Sequence, residues 1–350
     1  MATIASIAVI PGDGIGQEVV PPAMACVDAA LARHEHSVRW TPLEWGSDLY
    51  RRTGSMMPSD AIEKMAHHDA IFLGAVGAPD IPDTETLWGL LIPIRREFEQ
   101  YVNLRPVRAL TGVTSPVAGG DQLDVVIVRE NNEGEYSEIG GRAYRGRSQD
   151  MAMQVDVFTR KGIEKVASFA AEYARNRRGR MTSATKSNGI IHSMPFWDEV
   201  VAEAALRHDI EVESILIDAL VAKLVSHPSH FDVIVASNLF GDILSDLAGA
   251  VAGSIGVAPS ANLNPERRYP SLFEPVHGSA PDIAGKGVAN PIGQIWTGAL
   301  MLEHLGQHAA AADLISAFEA VIANGVRTRD LGGTSSTQDV RDAVLAQLAH

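Results

Sequence analysis

Residues 231–258, FDVIVASNLFGDILSDLAGAVAGSIGVA, constrain the fold of this chain more than any other stretch. The apolar run 231–236 reads as a buried strand, Ser237 and Asn238 as a turn, and the remainder as a helix. Asp242 and Asp246 on that helix stand four residues apart, so their carboxylates share one face, a turn from each other. Their neighbours Ile243, Leu244 and Leu247 are apolar, which predicts a packed helix rather than one free in solvent. Like charges at this spacing repel by a few tenths of a kcal/mol unless something cationic lies between them. Two readings are open: a solvated acidic face, or a carboxylate pair for a hard divalent cation, Mg²⁺ or Mn²⁺. The strand-to-helix setting favours the cation.

At 350 residues the chain can bury a large core and form two lobes. Its 29 Lys and Arg against 43 Asp and Glu leave a formal charge of −14, which disfavours nucleic-acid and anionic-membrane partners. An acidic body binds an anionic substrate only through a local cluster of arginines. Cys26 is the single cysteine, so no intrachain disulfide and no multi-thiolate metal site can form; it reads as a buried thiol inside a helix. The N-terminal residues show no basic leader, and no segment reaches the roughly 18 apolar residues of a membrane span. A cytoplasmic enzyme is expected.

Residues 4–10 form a predicted strand running straight into Pro-Gly-Asp-Gly-Ile-Gly at 11–16. A dinucleotide fingerprint fails on spacing, since the glycines fall at 12, 14 and 16 and position 17 is Gln. A tight strand-to-helix turn fits better, with Glu18 in the first helical turn. Further strands are expected at 38–45, 70–77 and 125–129, a helix at 58–67 and a turn at 118–121, with no internal repeat or low-complexity linker. Arg95, Arg105 and Arg129 stand at neighbouring helix and strand ends. Three such guanidiniums can clamp a dicarboxylate by paired charge-assisted hydrogen bonds, the plain alternative being unconnected surface arginines. Tyr136 lies in a polar loop, Lys186 among small polar residues before a helix, and Asp218 after the apolar run 215–217. Residues 274–285, EPVHGSAPDIAG, form a small-residue loop able to wrap a nucleotide with its backbone N–H groups, and Asn290-Pro291 opens a helix over 292–305.

Taken together, IPGDGIG, NLRP, VRENNEGEY, SNLFGDILSD and FEPVHGSAPDIAGKGVANP, in this order and across most of the chain, resemble the β-decarboxylating dehydrogenases. That family includes isocitrate, isopropylmalate, homoisocitrate and tartrate/D-malate dehydrogenases. The resemblance implies the family's own two-domain α/β fold, with mixed central sheets flanked by helices, and not a Rossmann fold. It implies a larger nucleotide-binding domain from residues 1–100 plus 254–350, and a dimerisation and metal/substrate domain from 101–253. It implies a homodimer with shared active sites. Asp242 and Asp246 match the family's metal ligands, and Asp218 a ligand reaching in from the partner. Lys186 matches the proton-transfer lysine, also from the partner, with a pKa that a nearby dication would lower. Tyr136 matches the acid that protonates the enolate left by loss of CO₂, and Arg95, Arg105 and Arg129 match the carboxylate clamp. Glu274, His277, Gly278, Ser279, Ala280, Asp282, Ile283 and Asn290 fall in the family's cofactor-binding stretch. The implied chemistry is metal-assisted oxidation of a 2-hydroxy acid by NAD, followed by loss of the carboxylate β to the new ketone. Asp282 favours NAD⁺, because a carboxylate accepts bonds from ribose hydroxyls and repels a 2′-phosphate; NADP⁺-dependent relatives carry Lys-Tyr where this chain has Asp282-Ile283. K⁺ is implied by the resemblance alone.

The substrate is read from the segment before Arg95. Isocitrate enzymes place Ser and Asn where this chain has Gly89 and Leu91, and burying a third carboxylate there without partners costs several kcal/mol. Leu91 and Ile92 reproduce the apolar pair of isopropylmalate enzymes, but Trp88 replaces their usual Glu and fills the space of an isopropyl group. Trp88-Gly89 followed by RREFEQYVNLRPVR looks most like the tartrate/D-malate branch, apart from Pro93 where a relative can have Lys. The expected substrate is therefore a small 2-hydroxydicarboxylate, D-malate or tartrate. The alternatives are 3-isopropylmalate, as in leucine biosynthesis, and a catalytically silent regulatory homologue.

Overall fold

The computed structural model describes residues 1–349. Twelve strands form in chain order: β1 (Ala2–Gly12), β2 (His36–Pro42), β3 (Ala70–Ala75), β4 (Val102–Arg108), β5 (Asp124–Glu130), β6 (Gly140–Ala143), β7 (Met151–Gln154), β8 (Arg180–Thr185), β9 (Glu211–Leu216), β10 (Val233–Ala236), β11 (Pro259–Leu263) and β12 (Ser271–Pro275). Ten of them make one sheet, in the order β2-β1-β3-β12-β11-β4-β5-β10-β8-β9, while β6 and β7 pair as a separate hairpin. A mixed central sheet, as expected from the sequence, thus runs through the chain as one continuous ten-stranded unit. The join is made by β4 and β11, which pair antiparallel with each other and with their outer neighbours β5 and β12. Outside that join the neighbouring strands are parallel.

Composition explains the order. The inner strands β3 (AIFLGA) and β10 (VIVA) are buried along their whole length, as parallel strands covered on both faces must be. The edge strands β2 and β9 alternate apolar with charged residues and stay partly exposed. β2 stops at Pro42, short of the expected 45, and the helix expected over 58–67 occupies Ala61–Ala66, after the turn that Pro58 begins. The helix Ile292–His304 lies where Asn290-Pro291 predicted it.

Two features matter for the site. Carboxyl ends of β5, β8, β9 and β10 bring Arg129, Lys186, Asp218 and the helix Asn238–Ala252 to one end of their half of the sheet. Residues 83–97 are helical throughout but pass through a π-turn at Leu87–Leu91, where the Ile92 N–H donates to Leu87 O, five residues back. Pro93 has no N–H to offer the carbonyl four residues behind it, which is a physical reason for the ladder to slip here.

Candidate active site

Strand register assembles the arginines. Asn103 on β4 faces Arg129 on β5, and Arg105 lies two residues along, so Arg105 and Arg129 project from the same face. Arg95, from the helix Ile92–Glu97, joins them, and all three are buried. Arg129 is held by the first turn of the helix Asn238–Ala252. Its Nε and Nη2 donate to Asn238 Oδ1 at 3.1 and 2.7 Å, and its Nη1 donates to Asp242 Oδ1. Gly241 makes room, since a Cβ there would lie 2.6 Å from the Arg129 Cβ. Arg105 Nη1 donates to Ser245 Oγ at 2.6 Å and lies 3.2 Å from Asp242 and 3.7 Å from Asp246. Arg95 Nη2 donates to Glu274 Oε1 at 2.9 Å, and Asn262 donates to the same oxygen at 2.8 Å. Burial and the mutual repulsion of the guanidiniums push Arg105 and Arg129 below the usual arginine range, and Asp242 opposes that. Burial alone would raise the Asp242 carboxyl, but Arg129 and Arg105 hold it below the usual carboxylate range.

Two donors in this cluster are unspent. The Nε groups of Arg95 and Arg105 are buried without a hydrogen-bond partner, and a buried unpaired guanidinium N–H costs roughly 1–3 kcal/mol. Asp246 remains more than half exposed, so the acid pair offers hard oxygen ligands at the mouth of the cluster. Asp218 does not join it. Lys186 Nζ lies 2.9 Å from Asp218 Oδ1, a pair between the end of β8 and the helix Ile217–Ser226. No group of three His, Cys, Asp or Glu side chains among the described residues is placed to hold a metal ion.

Tyr136 is half-buried, with its hydroxyl 3.3 Å from Asp242 Oδ2 and its ring 5.6 Å from the Arg129 guanidinium carbon. Burial, then the Asp242 charge, push its phenol above the ordinary tyrosine value, so it stays protonated at neutral pH. Trp88 and Leu91 sit on the π-turn, partly exposed, while Ile92 is buried. Glu135 escaped the sequence reading. It caps the helix Asn238–Ala252, accepting from Ser237 Oγ at 2.7 Å and from the Leu239 N–H at 3.0 Å. Its signal, two acidic residues spaced around Gly134, was hidden among the charges of a polar loop.

The other half of the sheet carries the small-residue loop. Ser279 O accepts from the Ile15 N–H at 2.9 Å, docking the loop on the turn after β1. A Cβ at Gly14 would meet that carbonyl oxygen at 2.0 Å, and Gly14 has φ +53°, so the glycines of PGDGIG serve close packing. Glu18 reaches the loop from the other side, accepting from the Gly285 and Gly287 N–H groups. Ala280 is held at φ +41°, a strained conformation for a residue with a Cβ. His277 Nε2 is buried without a partner, and burial lowers the imidazole pKa. Gly278 and Asp282 are exposed and Ile283 is half-buried; the Asp282 carboxylate makes no hydrogen bond among the described residues, its carbonyl accepting from Lys286 Nζ. Asn290 is tied to Asp330 at 2.9 Å. A cavity of about 730 Å³ opens beside Pro281 and Ala284, at the carboxyl ends of β1, β2 and β3. Asp13 forms part of its lining and binds Ser47 and Gly77 there, a role the sequence reading did not assign. The loop, with an orphaned imidazole nitrogen and an exposed carboxylate free of hydrogen bonds among the described residues, could hold a nucleotide; of its residues Pro281 and Ala284 border the cavity.

The sequence profile of the family described as isocitrate/isopropylmalate dehydrogenase matches residues 6–344. A probable tartrate dehydrogenase/decarboxylase of Bacillus subtilis is 53% identical over 345 residues, covering 98% of this chain and 97% of its own. The decarboxylating D-malate dehydrogenase of Escherichia coli is 51% identical over 350 residues, covering 97% of each. A solved isocitrate dehydrogenase from Methylococcus capsulatus superposes with a TM-score of 0.90 at 33% identity over the whole of both chains. With matches that span the sequence and the entire sheet, the chain belongs to the isocitrate/isopropylmalate dehydrogenase family.

Proposed function

We propose that this chain is an NAD⁺- and Mg²⁺- or Mn²⁺-dependent dehydrogenase that oxidatively decarboxylates D-malate to pyruvate and CO₂ and also oxidises tartrate. The observation that carries this reading is the convergence of three buried guanidiniums, Arg95, Arg105 and Arg129, beside an acid pair. Those guanidiniums suit a small dicarboxylate, and the relatives named for tartrate and D-malate support the choice.

In this reading Asp242 and Asp246 of one subunit and Asp218 of the partner subunit hold the dication. When bound it supplies Lewis acidity to the substrate's oxygens. Residues 277–283 with Asn290 hold NAD⁺, the hydride acceptor, and Asp282 takes the ribose hydroxyls. Arg95, Arg105 and Arg129 hold the substrate carboxylates and fix which C–C bond breaks. Lys186 of the partner subunit takes the C2 hydroxyl proton as hydride leaves. Tyr136, kept protonated by its surroundings, gives a proton to C3 after CO₂ departs. Burial of the arginines excludes water from the clamp. Trp88 limits the substituent at C3.

A dimer is part of the proposal. Ile139, Tyr144, Met151 and Met153 around the β6–β7 hairpin, and Ile243 on the helix of the acid pair, are each at least half exposed in the single chain. The domain division proposed here, 1–100 plus 254–350 against 101–253, falls between β11 and β4. That boundary leaves β2, β1, β3, β12 and β11 contiguous on one side of the sheet.

Steady-state assays of D-malate, L-tartrate, 3-isopropylmalate and isocitrate, each with Mn²⁺, Mg²⁺ or EDTA and with NAD⁺ or NADP⁺, test the reading. D-malate with NAD⁺ and Mn²⁺ is expected to give the highest kcat/KM, and EDTA to abolish it. The second reading, 3-isopropylmalate, is favoured by the apolar pair Leu91 and Ile92 and wins if that substrate leads. Absence of NADH with every 2-hydroxydicarboxylate would leave the silent homologue.

A further inference from the structure

Arg96 is next in sequence to the clamp but is not part of it. Its guanidinium carbon lies 5.1 Å from the centroid of the Trp88 ring, over the π-turn. Its Nη1 donates to Glu138 Oε2 at 2.7 Å and its Nη2 to the Tyr136 carbonyl oxygen at 3.1 Å. One planar cation therefore touches the indole proposed to set substrate size and the backbone of the tyrosine proposed to protonate the product. The two lie on segments 48 positions apart in sequence, and Arg96, about one-third exposed, bridges them directly.

We propose that Arg96 is a specificity-determining positioning residue, which holds the Trp88 indole in one orientation and ties that orientation to the loop carrying Tyr136. A guanidinium stacked on an aromatic face with its N–H groups fixed at the edges restrains the ring on one side, which a mobile lysine ammonium does less well. With Arg96 in place the indole stays across the space beside C3, so a branched substituent is rejected. Without it the indole swings and the pocket admits bulkier 2-hydroxydicarboxylates. The same loss frees the Tyr136 carbonyl, so the protonation step suffers as well. This inference rests on the proposed roles of Trp88 and Tyr136, and its test separates the two levels.

The experiment is a double-mutant cycle read as the ratio of kcat/KM for 3-isopropylmalate to that for D-malate, in the wild type, W88A, R96M, W88A/R96M, R96K and E138Q. R96M keeps the length of the stem and loses the fork. The expected result is a rise of about three- to tenfold in the ratio for R96M, at most half of that rise for R96K, and no further rise when R96M is added to W88A. A ratio that moves in W88A but not in R96M, or strictly additive effects, overturns the proposal and leaves the Trp88 reading intact. A ratio unmoved in W88A overturns both. If R96M does not fold, as judged by its thermal transition, R96K and E138Q carry the same test, a raised ratio in each supporting the tie and an unchanged ratio in both overturning it.

Discussion

Arg129 shows how one residue can be set by its neighbours. Three of its N–H groups are consumed by Asn238 and Asp242, and its stem passes a glycine with no space for a methyl group. Gly241→Ala should push the Arg129 stem aside, costing about 1–3 kcal/mol of stability and lowering kcat/KM for the preferred dicarboxylate by about 100-fold. Thermal unfolding and steady-state kinetics on one preparation check this, and an unchanged kcat/KM would show that the clamp tolerates the shift. The adjacent residue, Glu130, behaves differently. Burial pushes its carboxyl from 4.5 up to about 7, against the Asn132 and Glu133 N–H groups that favour the charge. Between those values the folded chain binds a proton that the unfolded chain has released. The group's contribution is therefore full below about pH 4.5 and is lost as pH climbs through about 7. Glu130→Gln removes this dependence, so its unfolding free energy minus that of the wild type should grow from pH 5 to pH 8, up to a limit of ~3 kcal/mol. A difference that stays flat with pH would mean that the Glu130 carboxyl titrates as an ordinary glutamate.

At the scale of elements, the helix Asn238–Ala252 depends on a cap supplied from far away in sequence. Glu135 accepts two hydrogen bonds at its N-terminus and sets its negative charge against the helix dipole. Glu135→Ala should destabilise the protein by about 1–2 kcal/mol and lower kcat, since the acid pair rides on this helix; Glu135→Gln should recover most of the stability. Denaturant unfolding of the three proteins gives the comparison. The helix itself was legible in the sequence because the apolar run 231–236 ends abruptly at Ser-Asn and the pattern then turns helical. The strands β1, β3 and β5 were legible for the same reason. The cap was not, because nothing local distinguishes Glu135 from Glu133 or Glu138. Nor was the π-turn at Leu87–Leu91 legible, since Pro93 predicts a helix break and not a slip in the ladder. The unbroken ten-stranded sheet was hidden too. Pairing of β4 with β11 joins residues more than 150 positions apart, and no local pattern reports such a contact.

The whole chain leaves two groups of site residues unconnected. Asp242, Asp246, Tyr136 and the arginines form one group, while Lys186 and Asp218 pair with each other elsewhere. If the site is completed by a second copy, each active centre takes the first group from one subunit and Lys186 with Asp218 from the other. Hybrids then give a signature that a self-contained site cannot. Lys186→Ala and Asp242→Asn should each be inactive as homodimers. In a hybrid, the D242N subunit lends its intact Lys186 to the intact Asp242 of the K186A subunit, while the other centre carries both defects. Random reassortment makes half of the dimers hybrid, each with one working centre, so mixing and refolding the two inactive proteins should restore about one quarter of wild-type activity. With Lys186 and Asp242 serving the same chain, every centre in the mixture carries one defect and activity stays at the level of the parents. Sedimentation at the assay concentration fixes whether dimers are present, so a failure to associate is told apart from a site that needs no partner.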